Sequence, residues 1–404
     1  MYERLANGVE YIIVTGIHSG KHHDTQKFDV DGSRTIASVV VGSGIALLAL
    51  LIGPLLVGEY IRELGVTESH AGLILSMELT GFTLGSAILF VIQNRNWRTI
   101  ITSALVFMVA GNVLSLFIDS TLGITLSRFI AGFGAGMVMT MTIQVIALMQ
   151  NTDRVYGLWT VGQLVQGALG MIFFPMVTAW GGIKAVFLIW ALLAAMLFVT
   201  VRFYPVGRDP QVSSGSQHEA GRRLIVGLAC LTGLFIYYSG QAGVWVYLER
   251  LGISWSIEPE IVGHILFLSL VAGIAGSGLA ILLGNRAGRT IPIATSLIFS
   301  AASILLMMQS GGAARFTWAA CIFNFGWYLF LPYISATVAA ADNNGKLLTG
   351  LAVTFPASLA VGPAIAALLI GDAGTLFPAL IFGLVSIPIG LILILPATRI
   401  HWED

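Results

Sequence analysis

Glu78 and Arg128 are the residues of this sequence best placed to do chemistry, because both lie inside long apolar runs. An ionised side chain near the middle of a membrane-crossing helix costs about 2.5–3.5 kcal/mol on insertion scales, so each is a functional candidate by default. Glu78 falls eight residues into its run and Arg128 seven into its own, which at about 1.5 Å per residue sets both ~10–12 Å below the same surface. At equal depth they can meet. If they do, each charge offsets the desolvation of the other, and a proton on Glu78 would release Arg128 to hold an anionic group. The plainer alternative is a static ion pair that keeps two helices in register.

A second set of residues offers rings with a hydrogen-bonding handle. Tyr238, Gln241 and Trp245 recur at i, i+3 and i+7, with Tyr237 one turn from Gln241, so they share a helix face. Asn324, Trp327 and Tyr328 cluster in the same way. Such faces suit an amphipathic or aromatic ligand, although aromatic belts near span ends read similarly. Trp159, Gln163 and Gln166 stand at i, i+4 and i+7, where glutamines can touch a ligand or bond across helices. His18, His22, His23 and Asp24 lie in a polar amino-terminal stretch and read as solvated, and His264 near a span end reads the same way.

These residues need apolar elements to position them, and the composition supplies them. The chain is 56% hydrophobic and 10% charged, against roughly 25% charged in soluble domains, and its 47 glycines suit close helix packing in lipid. An all-α integral membrane protein is expected. Zero net charge gives no field for nucleic acid, and Cys230 and Cys321 sit in apolar runs without disulfide or metal-ligand spacing. Walker, dinucleotide and zinc patterns are missing, which speaks against ATP drive and against an enzyme; no cofactor is expected, leaving a proton gradient as the driving force.

A span needs roughly 20 apolar residues. Twelve fit, at about 35–58, 70–92, 98–118, 121–148, 156–178, 183–203, 223–248, 260–284, 289–309, 314–340, 347–371 and 375–398. The longest polar interruption falls midway. The chain therefore divides into a tail (1–34), a first six-helix half (35–203), a linker (204–222), a second six-helix half (223–398) and a short tail (399–404). Gly85, Ser86, Asn94, Arg95, Arg98, Thr99 and Ile100 return as Gly276, Ser277, Asn285, Arg286, Arg289, Thr290 and Ile291, which marks a tandem duplication. Phe133-Gly134 likewise pairs with Phe325-Gly326. Glu78 aligns with Ser269 and Arg128 with Ala320, so the symmetry breaks where the charges are. Arg95, Arg98, Arg154, Arg202, Arg286, Arg289 and Lys346 fall on one side and Glu59, Glu63, Glu68, Glu258 and Asp372 on the other, which puts both termini in the cytoplasm of a plasma or inner membrane.

Over essentially its whole length the chain resembles the major facilitator superfamily. The family's loop motif G-x-x-x-D-R-x-G-R-R is echoed by Asn94, Arg95 and Arg98, and again by Asn285, Arg286 and Arg289, with asparagine in place of the aspartate. Its helix-four motif R-x-x-Q-G-x-G-x-G is matched by Arg128, Gly132, Gly134 and Gly136, with Ala131 where the family has glutamine. The helix-five antiporter motif is not recovered, since Pro175 lacks the preceding glycine. The resemblance implies two halves rocking about a cavity lined by helices one, four, seven and ten. With that cavity, the in-span charges Glu78 and Arg128 are the expected proton-coupling residues, with Arg128 also anchoring substrate. The walls would be Tyr237, Tyr238, Gln241, Trp245, Asn324, Trp327, Tyr328, Trp159 and Gln163, and the gate would be set by Asn94, Arg95, Arg98, Asn285, Arg286 and Arg289. The expected partners are protons, the lipid bilayer and a small amphipathic, anionic organic solute, carried by a monomer and preferably inward. Two rivals remain open: a proton-antiport exporter of lipophilic compounds, and a receptor that kept the transporter fold.

Overall fold

Backbone amides have no water to bond inside a bilayer, so each apolar run closes its own hydrogen bonds as helix. The computed structural model describes residues 30–89, 92, 96–205, 220–284, 286, 288–342, 346–371 and 374–399. Among them the elements are helical: α1 (Ser33–Leu51), α2 (Gly53–Leu64), α3 (Glu68–Ile88), α4 (Trp97–Phe117), α5 (Thr121–Ile146), α6 (Thr152–Met196), a 3-10 helix (Leu197–Phe203), α7 (Ala220–Val246), α8 (Leu248–Ser254), α9 (Pro259–Leu283), α10 (Thr290–Met307), α11 (Ala313–Ala341), α12 (Lys346–Ile370) and α13 (Phe377–Arg399). Side chains of Thr67, Asn96 and Ser120 accept from free amides at the starts of α3, α4 and α5. Phe117, Trp180, Ile281, Leu368 and Ile392 stand exposed on outer helix faces, as in a multi-pass membrane protein whose solvent there is lipid.

Eleven described segments are long and apolar enough to cross a membrane, and one of them, Arg154–Phe203, has 50 residues. At about 1.5 Å per residue that is ~75 Å, twice what a bilayer core needs. It breaks at Gly181 (φ −160°, ψ 25°) and Gly182 (φ 64°, ψ −158°), the second in a conformation that favours glycine, and so makes two crossings. Among the described residues this makes twelve crossings, in two six-helix halves. The expected continuous spans over 35–58 and 223–248 are instead broken, at Ile52 between α1 and α2 and at Tyr247 between α7 and α8.

The repeat is visible as packing. Gly85 lies against the carbonyl of Phe133 and Gly276 against that of Phe325, each so closely that a Cβ would collide with backbone. Ser86 donates to the Gly136 carbonyl at 3.1 Å, and Ser277 donates to the Tyr328 carbonyl at 3.5 Å. Thus α3 meets α5, and α9 meets α11, in one register. Between the halves α3 lies along α12 and α6 along α9.

The halves are joined on the face opposite the start of α1 and the end of α13. Pro54 has no N–H to donate to the Leu50 carbonyl four residues back, and the indole of Trp245 takes that acceptor at 2.9 Å. Tyr247 donates to the Glu68 carbonyl at 3.0 Å, Arg250 reaches the Glu68 carboxylate at 3.3 Å, and Ser76 donates to the Ala360 carbonyl at 2.6 Å. The structure is closed on this face.

Gly85→Ala and Gly276→Ala should each lower the melting temperature of the purified protein by several degrees, because each Cβ meets a backbone carbonyl. Gly278, which has open space at its Cβ, should tolerate alanine without loss. Equal behaviour of all three in a thermal melt would contradict the paired register.

Candidate functional site

The helix-four glycines build the platform on which the charged pair forms. Gly132 and Gly136 of α5 press against the carbonyls of Glu78 and Phe82 in α3, while Gly134, on another face of α5, presses against the Ala104 carbonyl of α4. Alternate glycines thus bring two helices into backbone contact with α5, and Arg128, one turn before Gly132, sits between them. Its Nη2 donates to Glu78 Oε1 at 2.5 Å and its Nε to Oε2 at 3.1 Å, a bidentate fork. Nη1 donates to Asn112 Oδ1 of α4 at 2.9 Å and lies 3.5 Å from Ser115 Oγ. The guanidinium carbon stands 4.8 Å from the ring centre of Phe187 and 5.2 Å from that of Trp190, both on α6. Arg128 is 1% exposed and Glu78 4%.

Every described group bonded to or stacked on the pair belongs to the first half, so in this state the guanidinium is enclosed by α3, α4, α5 and α6. Fully buried Tyr60 of α2 is within electrostatic range of both charges, and its hydroxyl has no hydrogen-bond partner. Asn112, Ser115, Phe187, Trp190 and Tyr60 are site residues that the sequence reading missed. Asn112 could have been found as an amide in mid-span; the aromatics carry no such mark.

In the second half the equivalent place is uncharged. Ser269 accepts from Asn324 Nδ2 at 3.0 Å, so Asn324 takes up the position where Gly132 meets Glu78 in the first half. Tyr238, Trp327, Phe330 and half-buried Phe355 form one aromatic cluster between α7, α11 and α12, with ring centres of Tyr238 and Trp327 5.0 Å apart. The Tyr238 hydroxyl donates to the Trp327 carbonyl at 3.3 Å.

The other wall candidates have bonds of their own. Tyr237 pairs with Ser300 of α10 at 2.8 Å, and Tyr328 lays its ring on Gly273 of α9. Gln241 donates to the Gly383 carbonyl of α13 at 3.2 Å, leaving its own Oε1 buried without a donor. Trp245 holds the seam to α1 described above. Trp159 donates to Thr142 of α5 at 3.2 Å, and Gln163 lies 3.8 Å from the Met139 sulfur. The structure therefore brings Tyr237, Tyr238 and Trp327 together, with the ring centres of Tyr237 and Tyr238 5.1 Å apart, and disperses the rest among helix contacts.

Of the gate candidates, Arg98 donates to the carbonyls of Tyr204 at 2.9 Å and Arg202 at 3.0 Å, a bond within the first half. Arg286 is exposed in the turn after α9, and Arg289 is half-buried at the start of α10. Asn94, Arg95 and Asn285 lie outside the described residues, as do His18, His22, His23 and Asp24.

A sequence model for the Major Facilitator Superfamily matches residues 35–343. A search of curated proteins found no match. The solved structure of the human organic anion transporter MFSD10 (TETRAN) superposes with a TM-score of 0.68 at 16% identity, covering 90% of this chain and 99% of that one.

The repeat suggests its own test of the pair. Glu78→Ser alone leaves a buried guanidinium without a counter-charge and should cost about 3–5 kcal/mol. Adding Arg128→Ala, so that the first half carries what the second half has at Ser269 and Ala320, should recover most of that stability. A double-mutant cycle by thermal or denaturant unfolding in detergent checks it; additive losses would contradict a mutually dependent pair.

Proposed function

The chain belongs to the Major Facilitator Superfamily, a family of transporters, and on that premise we propose that it carries a small amphipathic organic anion inward by alternating access, coupled to a proton at Glu78. The observation that carries this reading is the fully enclosed Glu78–Arg128 fork. As a pair the two charges cancel. A proton on Glu78 leaves a buried positive charge, which is costly alone and is compensated when an anion arrives. Proton loading and anion binding are each unfavourable separately and favourable together, which is a coupling free energy between two ligands. A carrier so built moves both or neither.

Arg128 anchors the anion in this mechanism, and the cluster of Tyr238, Trp327, Phe330 and Phe355 offers apolar area to its body. The description of the similar MFSD10 structure as an organic anion transporter supports the substrate class. The basic loop residues support a cytoplasmic location of both termini, so the closed face opposite them is the outer one. One specific observation favours a second reading, export of lipophilic compounds by proton antiport: the aromatic cluster itself carries no charge.

Proteoliposomes with an inward proton gradient and a panel of radiolabelled aromatic and aliphatic carboxylates separate the readings. Wild-type protein should accumulate a carboxylate, Glu78→Gln should bind and exchange it without gradient-driven accumulation, and Arg128→Ala should lose uptake by at least roughly tenfold, the equivalent of about 1.4 kcal/mol. Undiminished accumulation by both variants would sink the coupling mechanism, and net loss of solute from loaded vesicles would favour export.

A further inference from the structure

Where α2 of the first half meets α8 of the second, an acidic side chain is shut in without a partner of its own. Glu249 is 1% exposed, its carboxylate presses against the backbone of Gly58, where a Cβ would collide with it, and its Oε2 has no hydrogen-bond partner. The cations nearby make their bonds to other carboxylates: Arg62 is bonded to buried Glu59, and Arg250 reaches Glu68 through Nη2, its Nε being buried without an acceptor. Glu63 is spent on the Ile183 amide at 2.7 Å. Among the described residues no other charge acts on it: α9 and α11 present Val262 and Phe316 to Gly252 of α8, the hydroxyl of Tyr247, between α7 and α8, is bonded to Glu68, and His70 of α3 is exposed and turned to Thr67. Four carboxylates thus face two guanidiniums across the seam, and Glu249 is the one left over.

We propose that Glu249 is a proton-binding latch: with its carboxyl protonated the α2–α8 seam stays shut, and ionisation of that carboxyl opens it. The bound species is a proton taken from the face opposite the start of α1 and the end of α13, and the effect is control of the opening of that face by the pH outside it. Only alternating access is borrowed from the transport reading; the latch operates whether or not Glu78 couples a proton.

The electrostatics give its direction. Burial pushes the Glu249 carboxyl up to about 7, against the opposing pull of Arg250 and Arg62, with Glu59 adding to the rise. The closed seam therefore holds the proton more tightly than an open, hydrated one with the ordinary carboxylate value of 4.5. The closed-to-open ratio is highest below that ordinary value, falls as pH rises from there to about 7, and is flat beyond. Across the window the fall is on the order of 100-fold.

Hydrogen–deuterium exchange of the full-length protein in detergent, corrected for intrinsic exchange, reads the seam directly in peptides of α2 and α8. Protection in wild type should fall by roughly 100-fold between about pH 5 and pH 8. Glu249→Gln should stay protected throughout, and Glu249→Asp should keep the fall. Glu78→Gln should keep it too, which separates the latch from the transport pair. A flat wild-type profile, an unchanged pH response in Glu249→Gln, or loss of the response in Glu78→Gln would each overturn the proposal. Should Glu249→Gln fail to fold, the wild-type, Glu249→Asp and Glu78→Gln profiles still decide it.

Discussion

A carboxylate and a guanidinium with no water around them are stable only in each other's company, and the first half of this protein is arranged to keep one such pair dry. The alternate glycines after Arg128 let α3 and α4 approach α5 to backbone contact, which closes the space that water would fill. Asn112 and Ser115 serve the guanidinium nitrogen that Glu78 does not reach, and two α6 rings cover its face. Removing any of these supports raises the cost of the charges rather than merely loosening a contact, because the penalty of an incomplete polar network grows as the local dielectric falls.

The second physical theme is the use of carbonyls that proline sets free. Pro54 releases the Leu50 carbonyl, and an indole from the other half takes it. Pro332 does the same to the Tyr328 carbonyl, which accepts from Ser277 of α9. In one case the freed acceptor ties the two halves together, and in the other it fixes register within a half. Since lipid offers nothing in exchange, such acceptors mark places where a partner must be present in the closed state.

How much of this is legible in sequence depends on whether a contact is local in pattern. The twelve crossings follow from runs of apolar residues, and the duplication follows from a nearly constant offset, so both can be read without coordinates. The meeting of Glu78 with Arg128 is legible because depth along two helices can be counted from their ends. The fate of Trp245 is not, since its partner is a carbonyl exposed by a proline some 190 residues away. Shared periodicity on α7 likewise gives Tyr238, Gln241 and Trp245 one face but cannot say that α11, α13 and α1 each claim one of them. The breaks at Ile52 and Tyr247 hide for the same reason: they create the short helices α2 and α8, whose meeting encloses Glu249, and nothing in hydropathy marks them.

The reading that organises the rest is that anion binding and protonation of Glu78 are one event. The most direct measurement is proton exchange at equilibrium: purified protein in weakly buffered detergent with a pH indicator, titrated with a carboxylate that binds it. Uptake of about one proton per bound anion in wild type, absent in Glu78→Gln, is the expected result. Anion binding with no proton taken up, or the same uptake in Glu78→Gln, would contradict it.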